Sequence, residues 1–187
     1  MKRILFILSS LLFMTFAVFA ENAKTINLEM SMTDINGTTY NVRGKESGLD
    51  IEGLEGKVIF LDFFGQRCPP CLEMIPHNIA LQEKYRDRLV ILGLEVQGHS
   101  EEKNIAFIEK EGINYRVFTD QGANQVISYV AQRAEWNGSI PFLVALDTKG
   151  DVKFVQAGML SQENLEELVE KLSEDDENHA TITEDKK

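Results

Sequence analysis

The chain has 187 residues, 19 Lys and Arg against 30 Asp and Glu, and a formal net charge of −11 at pH 7. Its 43% hydrophobic content excludes a wholly disordered, collagen-like or coiled-coil chain. The acidic balance argues against nucleic acid as a partner, since such binding needs clustered Lys and Arg to displace counterions. Two cysteines are too few for a disulfide-dense mini-domain, and the length suits one domain with a real core.

Residues 1–20 have the form of a secretory signal peptide. Lys2 and Arg3 supply the positive start, Ile4 to Val18 the apolar run, and Val18-Phe19-Ala20 the small residues before a cleavage site. An uncleaved anchor is the competing reading; the run is at the short limit for spanning a bilayer. Cleavage leaves Glu21 to Lys187, with a formal charge of −13 once Lys2 and Arg3 are gone. The expected location is therefore periplasmic or otherwise exported, soluble after cleavage, and the two cysteines belong to that redox setting.

In chain order, Ile26–Ser31 and Thr39–Val42 read as a hairpin around the Asn36-Gly37 turn signal. Gly44 to Gly56 is Gly-rich and polar and reads as a connection. Val58–Phe64 is an apolar run broken only by Asp62, as expected of a buried central strand. Pro69 to about Arg86 has helical spacing through Leu72, Ile75 and Ile79, with Pro76 inside it expected to kink it. Leu89–Val96 is a second buried strand, Glu101–Glu111 a helix stopped by Gly112, Tyr115–Phe118 a short strand and Gln121–Arg133 another helix. Phe142–Leu146 and Val152–Gln156 form a hairpin around Thr148–Asp151. A last helix starts after Ser161 as N-cap and buries Leu165, Leu168, Val169 and Leu172. The organisation expected is a signal peptide at 1–20, one domain over 21–173, and an acidic disordered tail at 174–187. Strands alternating with helices predict an α/β layer structure with a mixed sheet.

The informative stretch is Phe63-Phe64-Gly65-Gln66-Arg67-Cys68-Pro69-Pro70-Cys71. Two thiols at this spacing can close a small disulfide. With Pro69 as the first helical residue, where a missing N–H costs nothing, Cys68 sits at the helix N-terminus, whose free donors and dipole favour a thiolate. Cys71, one turn in, should be less exposed. Cys68 is thus the candidate attacking sulfur and Cys71 the one that resolves the mixed disulfide. Other readings compete. A structural disulfide with so short a loop removes little unfolded-chain entropy. Half a zinc site would need two more ligands from His77, His99 and His179, and no fourth partner has suitable spacing. Inert thiols are the third alternative.

These residues resemble the thioredoxin superfamily and, within it, the secreted TlpA/ResA/CcmG-like thiol–disulfide oxidoreductases. The likeness spans about Ile26 to Leu172. It rests on the strand Val58–Phe64, the Cys-Pro-Pro-Cys motif, Pro76 five residues after Cys71, and Ile140-Pro141 ahead of a strand. It implies a thioredoxin-like fold: a central mixed sheet flanked by helices, with an N-terminal β-hairpin and an inserted helix-strand-helix element. It further implies a cis Ile140–Pro141 bond that brings the Ile140 backbone beside Cys68 for substrate binding.

Two departures stand out. The family usually has Trp just before the first Cys; here Arg67 is a candidate for substrate contact and for thiolate stabilisation, with a solvated Arg the alternative. TlpA-type helices tend to carry Glu three residues after the second Cys. Here that position is Met74, and Glu73 is rotated by about 100°, so the acid's role is not transferred to it.

Asp62 occupies the place of a buried acid in thioredoxin and is the candidate acceptor of the Cys71 proton; a solvated edge carboxylate is the alternative. Glu95 is a similar acid near the end of the Leu89–Val96 strand, facing the same site or standing as a strand-end acid in water. Trp136 borders the active face or belongs to the core. His77 and His99 have no cysteine at catalytic spacing and read as surface or helix residues.

No cofactor is expected beyond the redox-active Cys68–Cys71 pair. Without His between the cysteines the pair leans toward reduction. Without a Gly-rich motif for NADPH or flavin, electrons must come from a partner, expected to be membrane-embedded. The partners expected are protein thiols and disulfides, among them, on the resemblance, apocytochrome c cysteines. The chain is expected to act as a monomer. A dithiol oxidase or isomerase, and a non-enzymatic metal or redox module, are the alternatives.

Overall fold

Seven consecutive buried residues, Val58–Phe64, set the middle of the molecule. The computed structural model describes residues 28–174; the signal-peptide reading, His179 and the tail lie outside them. A small antiparallel sheet comes first, in the order β1 (Leu28–Thr33), β2 (Thr39–Lys45), β3 (Gly48–Ile51). The main sheet is built from β4 (Val58–Phe64), β5 (Leu89–Glu95), β6 (Arg116–Thr119), β7 (Phe142–Leu146) and β8 (Val152–Ala157), in the order β6-β5-β4-β7-β8. β4, β5 and β6 run parallel, and β7 and β8 are antiparallel to their neighbours. The helices are α1 (Pro69–Lys84), α2 (Glu101–Glu111), α3 (Asn124–Arg133) and α4 (Gln162–Glu174). This is the mixed α/β architecture of the thioredoxin fold.

Strand alternation divides the core in two. Phe60 and Phe64 face α1, α2 and α4, together with Ile75, Phe107, Leu165 and Val169. Ile59, Leu61 and Phe63 face the small sheet and α3, with Met32, Val42, Leu49, Val126 and Val130.

The connection expected over Gly44–Gly56 instead contains the end of β2 and all of β3. β2 runs to Lys45 and β3 follows at Gly48–Ile51, so the expected hairpin is a three-stranded sheet. Gly44 and Gly48 permit close approach, while Gly53 and Gly56 take positive φ in the turns that follow. A Cβ on Gly44 would lie 2.7 Å from the Tyr129 ring, and one on Gly48 would lie 2.1 Å from the Gly150 carbonyl oxygen. α3 starts at Asn124, not Gln121, because the preceding turn is tied down elsewhere. The Gly122 carbonyl accepts from Thr33 N–H, and Gly122 N–H donates to Thr119 Oγ1. β6 is offset by one residue from the expected strand. Among the described residues no helix is long and apolar enough to cross a membrane.

Candidate active site

After β4 the chain crosses Gly65-Gln66-Arg67 and enters α1 with Cys68 as N-cap. Cys68 has extended backbone angles, Pro69 and Pro70 fill the first two helical positions, and Cys71 N–H donates to Cys68 Sγ at 3.3 Å. The sulfur thus takes the place a Ser or Asp oxygen holds in an ordinary N-cap. The first turn contains no acidic residue to offset the positive helix end. Cys68 and Cys71 are joined by a disulfide, with their Cα atoms 5.2 Å apart. Cys68 keeps 6% of its surface exposed and Cys71 only 1%, so the first sulfur is the one that a partner meets.

The Ile140–Pro141 peptide is cis. It closes the loop before β7 and brings the Ile140 carbonyl oxygen to 3.7 Å from Cys68 Sγ. Pro141 is buried and Ile140 half-buried, packed between the two cores. The Ile140 backbone, ahead of β7, and the outer sulfur therefore share one face.

Asp62 shares the sheet face of Phe60 and Phe64, beneath α1. It is buried, not edge-facing, and its Oδ2 accepts from Asn78 Nδ2 at 2.8 Å. Burial pushes its carboxyl up to about 7, against the pull of the Asn78 hydrogen bond. Its neighbour in β5 is Gly93. The Tyr115 ring fills the space there, 3.1 Å from where a Gly93 Cβ would be. The Tyr115 hydroxyl is buried without a partner among the described residues. Burial, and then the Asp62 charge, push that phenol up, so it stays neutral.

A second polar cluster supports the loop ahead of Cys68. Glu95 is fully buried and accepts from Gln97 N–H, His99 N–H and His99 Nδ1 at 2.8–3.1 Å. It folds the 97–99 loop and is not a strand-end acid in water. His99, read above as a surface or helix residue, is its half-buried partner. Gln97 Oε1 accepts from Arg67 N–H at 2.8 Å. Gln66 Nε2 donates to Asn104 Oδ1 at 3.0 Å, and Asn104, at α2, in turn donates to the His99 and Ser100 carbonyls.

The structure brings Cys68, Cys71, Ile140 and Pro141 together; Asp62 lies on the sheet face below α1, hydrogen-bonded to Asn78, which is two turns on from Cys71. The Arg67 side chain is exposed and forms no salt bridge among the described residues; its backbone makes the contact. Trp136 packs on Phe63 and Phe142 in the core facing the small sheet, with ring centroids at 4.9 and 6.0 Å, and donates to the Ser139 carbonyl. Met74 is buried and its sulfur accepts from Leu160 N–H at 3.4 Å, while Glu73 is exposed. α1 continues through Pro76. Sequence reasoning missed Asn78, Tyr115 and Gln97. Only Asn78 carried a signal: it interrupts the inward stripe Cys71, Met74, Ile75, Leu81, and a buried amide needs a partner.

Comparison with known proteins places this geometry. The Redoxin family model matches residues 28–172. The thiol-disulfide oxidoreductase ResA of Halalkalibacterium halodurans is 26% identical over 123 residues, covering 65% of this chain and 66% of that protein. ResA of Bacillus anthracis is 28% identical over 142 residues, covering 74% of this chain and 75% of its own length. Protein DipZ of Mycobacterium tuberculosis is 27% identical over 149 residues, 76% of this chain but 20% of that protein. Among solved structures, StoA of Bacillus subtilis superposes with a TM-score of 0.57 at 17% identity, covering 76% of this chain and 97% of its own. A thioredoxin-family thiol:disulfide interchange protein of Chlorobium tepidum gives 0.60 at 20% identity, covering 81% and 99%. These two likenesses show the fold.

Proposed function

The chain belongs to the Redoxin family and is a thiol–disulfide oxidoreductase, and we propose that it runs as a reductase of protein disulfides outside the cytosol. The observation that carries this reading is the pair itself. Cys68 is a helix N-cap whose sulfur accepts the Cys71 N–H, and Cys71 lies directly behind it.

In the reduced protein the Cys68 thiolate attacks a substrate disulfide. A bond forms between Cys68 Sγ and one substrate sulfur, and the other substrate sulfur leaves as a thiolate and takes up a proton. The Ile140 carbonyl, beside Cys68, supports a main-chain contact with the substrate strand, and the exposed Arg67 borders it. Cys71 then gives its proton to the Asp62 carboxylate and attacks Cys68 Sγ. The mixed disulfide breaks, the second substrate sulfur leaves as a thiolate and takes up a proton from solvent, and the Cys68–Cys71 disulfide remains. Two electrons have passed to the substrate.

Electrons to restore the dithiol come, on this reading, from a membrane-embedded donor, and the protein works as a monomer. The signal-like residues 1–20 support an exported location. The likeness to ResA-named relatives supports cysteine pairs awaiting haem attachment in apocytochrome c as one substrate. The test is to express Cys71→Ser in the native host. Disulfide-linked complexes that vanish on reduction, and that are absent from a Cys68→Ser/Cys71→Ser double variant, support the reading. No complexes, together with insulin reduction that survives Cys68→Ser, contradict it.

A further inference from the structure

We infer that Asn78 is a positioning residue for the exchange: its amide holds the Asp62 carboxylate in the ionised, proton-accepting form beneath α1. The inference rests on the Asp62 role proposed above and adds the group that makes that role workable at neutral pH.

The placement follows from two periodicities. Asp62 alternates with Phe60 and Phe64 on the sheet face that packs against α1. On α1 the inward positions fall at Cys71, Met74, Ile75 and Asn78, so Asn78 lies on the same helical stripe as the resolving cysteine, two turns on. Its Nδ2 donates to Asp62 Oδ2 at 2.8 Å, and both side chains are buried. The other elements around Asp62 offer no charge. In register, β5 presents Gly93 and β7 presents Leu143. Tyr115, ahead of β6, brings a phenol held neutral by burial. On α1 the inward stripe carries one titratable residue, Cys71. Glu95 and His99 engage each other at the end of β5.

With no cation nearby, a buried carboxylate favours its protonated form, and a protonated Asp62 cannot accept from Cys71. The Asn78 amide opposes this, because a donor to the charged form favours that form. Removing it raises the proton affinity of Asp62. At neutral pH the transfer from Cys71 Sγ–H to the Asp62 carboxylate then has fewer ionised acceptors, and resolution slows. Tyr115 shares the pocket that the missing Gly93 side chain leaves open, so the site is a polar island in the layer between sheet and helix.

The test uses the reduced full chain and 5,5′-dithiobis(2-nitrobenzoate) in stopped flow. The first thionitrobenzoate released reports attack by Cys68; the second reports resolution by Cys71. For Asn78→Leu the pH midpoint of the second phase is expected to rise by about one to two pH units, the size of a lost hydrogen bond to a charged acceptor. Combining it with Asp62→Asn should give no further shift. Asn78→Ser, a milder change whose hydroxyl is too short to reach Asp62, should shift the midpoint in the same direction and serves if the Leu variant does not fold. If Asp62→Asn alters the profile while both Asn78 variants superimpose on the parent, the positioning role is overturned and the Asp62 reading stands. If Asp62→Asn leaves the profile unchanged, the Asp62 reading falls and this inference falls with it.

Discussion

Cys71 donates its backbone N–H to Cys68 Sγ at 3.3 Å, while its own side chain is all but sealed from solvent. One residue therefore serves the outer sulfur twice, as a helix donor that favours its thiolate and as the nucleophile that later releases it.

From that contact, Cys68 in the reduced protein should alkylate with a pKa below the ordinary value of about 8.5. Cys71 should stay unreactive over the same range. Iodoacetamide rates against pH, with peptide mapping of the label, check this. A Cys68 that titrates at or above the ordinary value would show that the helix end does not act on it.

Asp62 makes folding stability depend on pH. Its folded-state carboxyl is raised to about 7 from the ordinary 3.8. The folded state thus holds this proton more tightly than the unfolded chain. The resulting stabilisation is complete below pH 4, declines as pH rises, and is lost above 7. Relative to Asp62→Asn, the parent should lose on the order of a few kcal/mol between pH 4 and pH 8. Urea unfolding of both oxidised proteins at the two pH values measures it. A difference that stays constant with pH would contradict the buried carboxyl.

Gly65 and Gln97 should act through one hydrogen bond. A Cβ on Gly65 would meet the Gln97 side chain at 2.3 Å, and Gln97 Oε1 holds Arg67 N–H beside Cys68. Gly65→Ala displaces a flexible side chain, so its cost in stability should be small, under about 1 kcal/mol. It should also free the Arg67 backbone and slow disulfide exchange several-fold. Gln97→Ala should do the same, and the double variant should be no worse than either single one. Insulin-reduction rates and thermal midpoints of the three variants separate these effects.

Filling Gly93 should be more damaging. Its Cβ would sit 3.1 Å from the Tyr115 ring and 3.2 Å from Phe64, two buried rings with little room to yield. Gly93→Ala is expected to destabilise by about 1–3 kcal/mol. Chemical denaturation provides the measurement, and a neutral result would mean that Tyr115 can leave the pocket.

Much of this site was legible in the sequence because its parts are local. The apolar β4, the cysteine spacing and a proline at the first helical position all lie within a few residues of one another. Each has a direct backbone consequence. Ile140–Pro141 was legible through its place in a familiar order, since the dipeptide alone says little about its isomer. What stayed hidden depends on residues distant in the chain. Gln97 reaches Arg67 across thirty positions, and Tyr115 enters the Asp62 pocket because Gly93, on another strand, has no side chain. β3 was hidden for a related reason: Gly44 and Gly48 make close contacts with Tyr129 and Gly150 that composition alone renders as loop.

On the reading proposed above, Cys68 and Cys71 exchange two electrons reversibly and lean toward reduction. The most direct measurement is the equilibrium between dithiol and disulfide in dithiothreitol or glutathione buffers of set potential. A single two-electron transition more reducing than about −200 mV, lost in Cys68→Ser, is expected. A midpoint near about −120 mV, on the scale of strong oxidants, would contradict it.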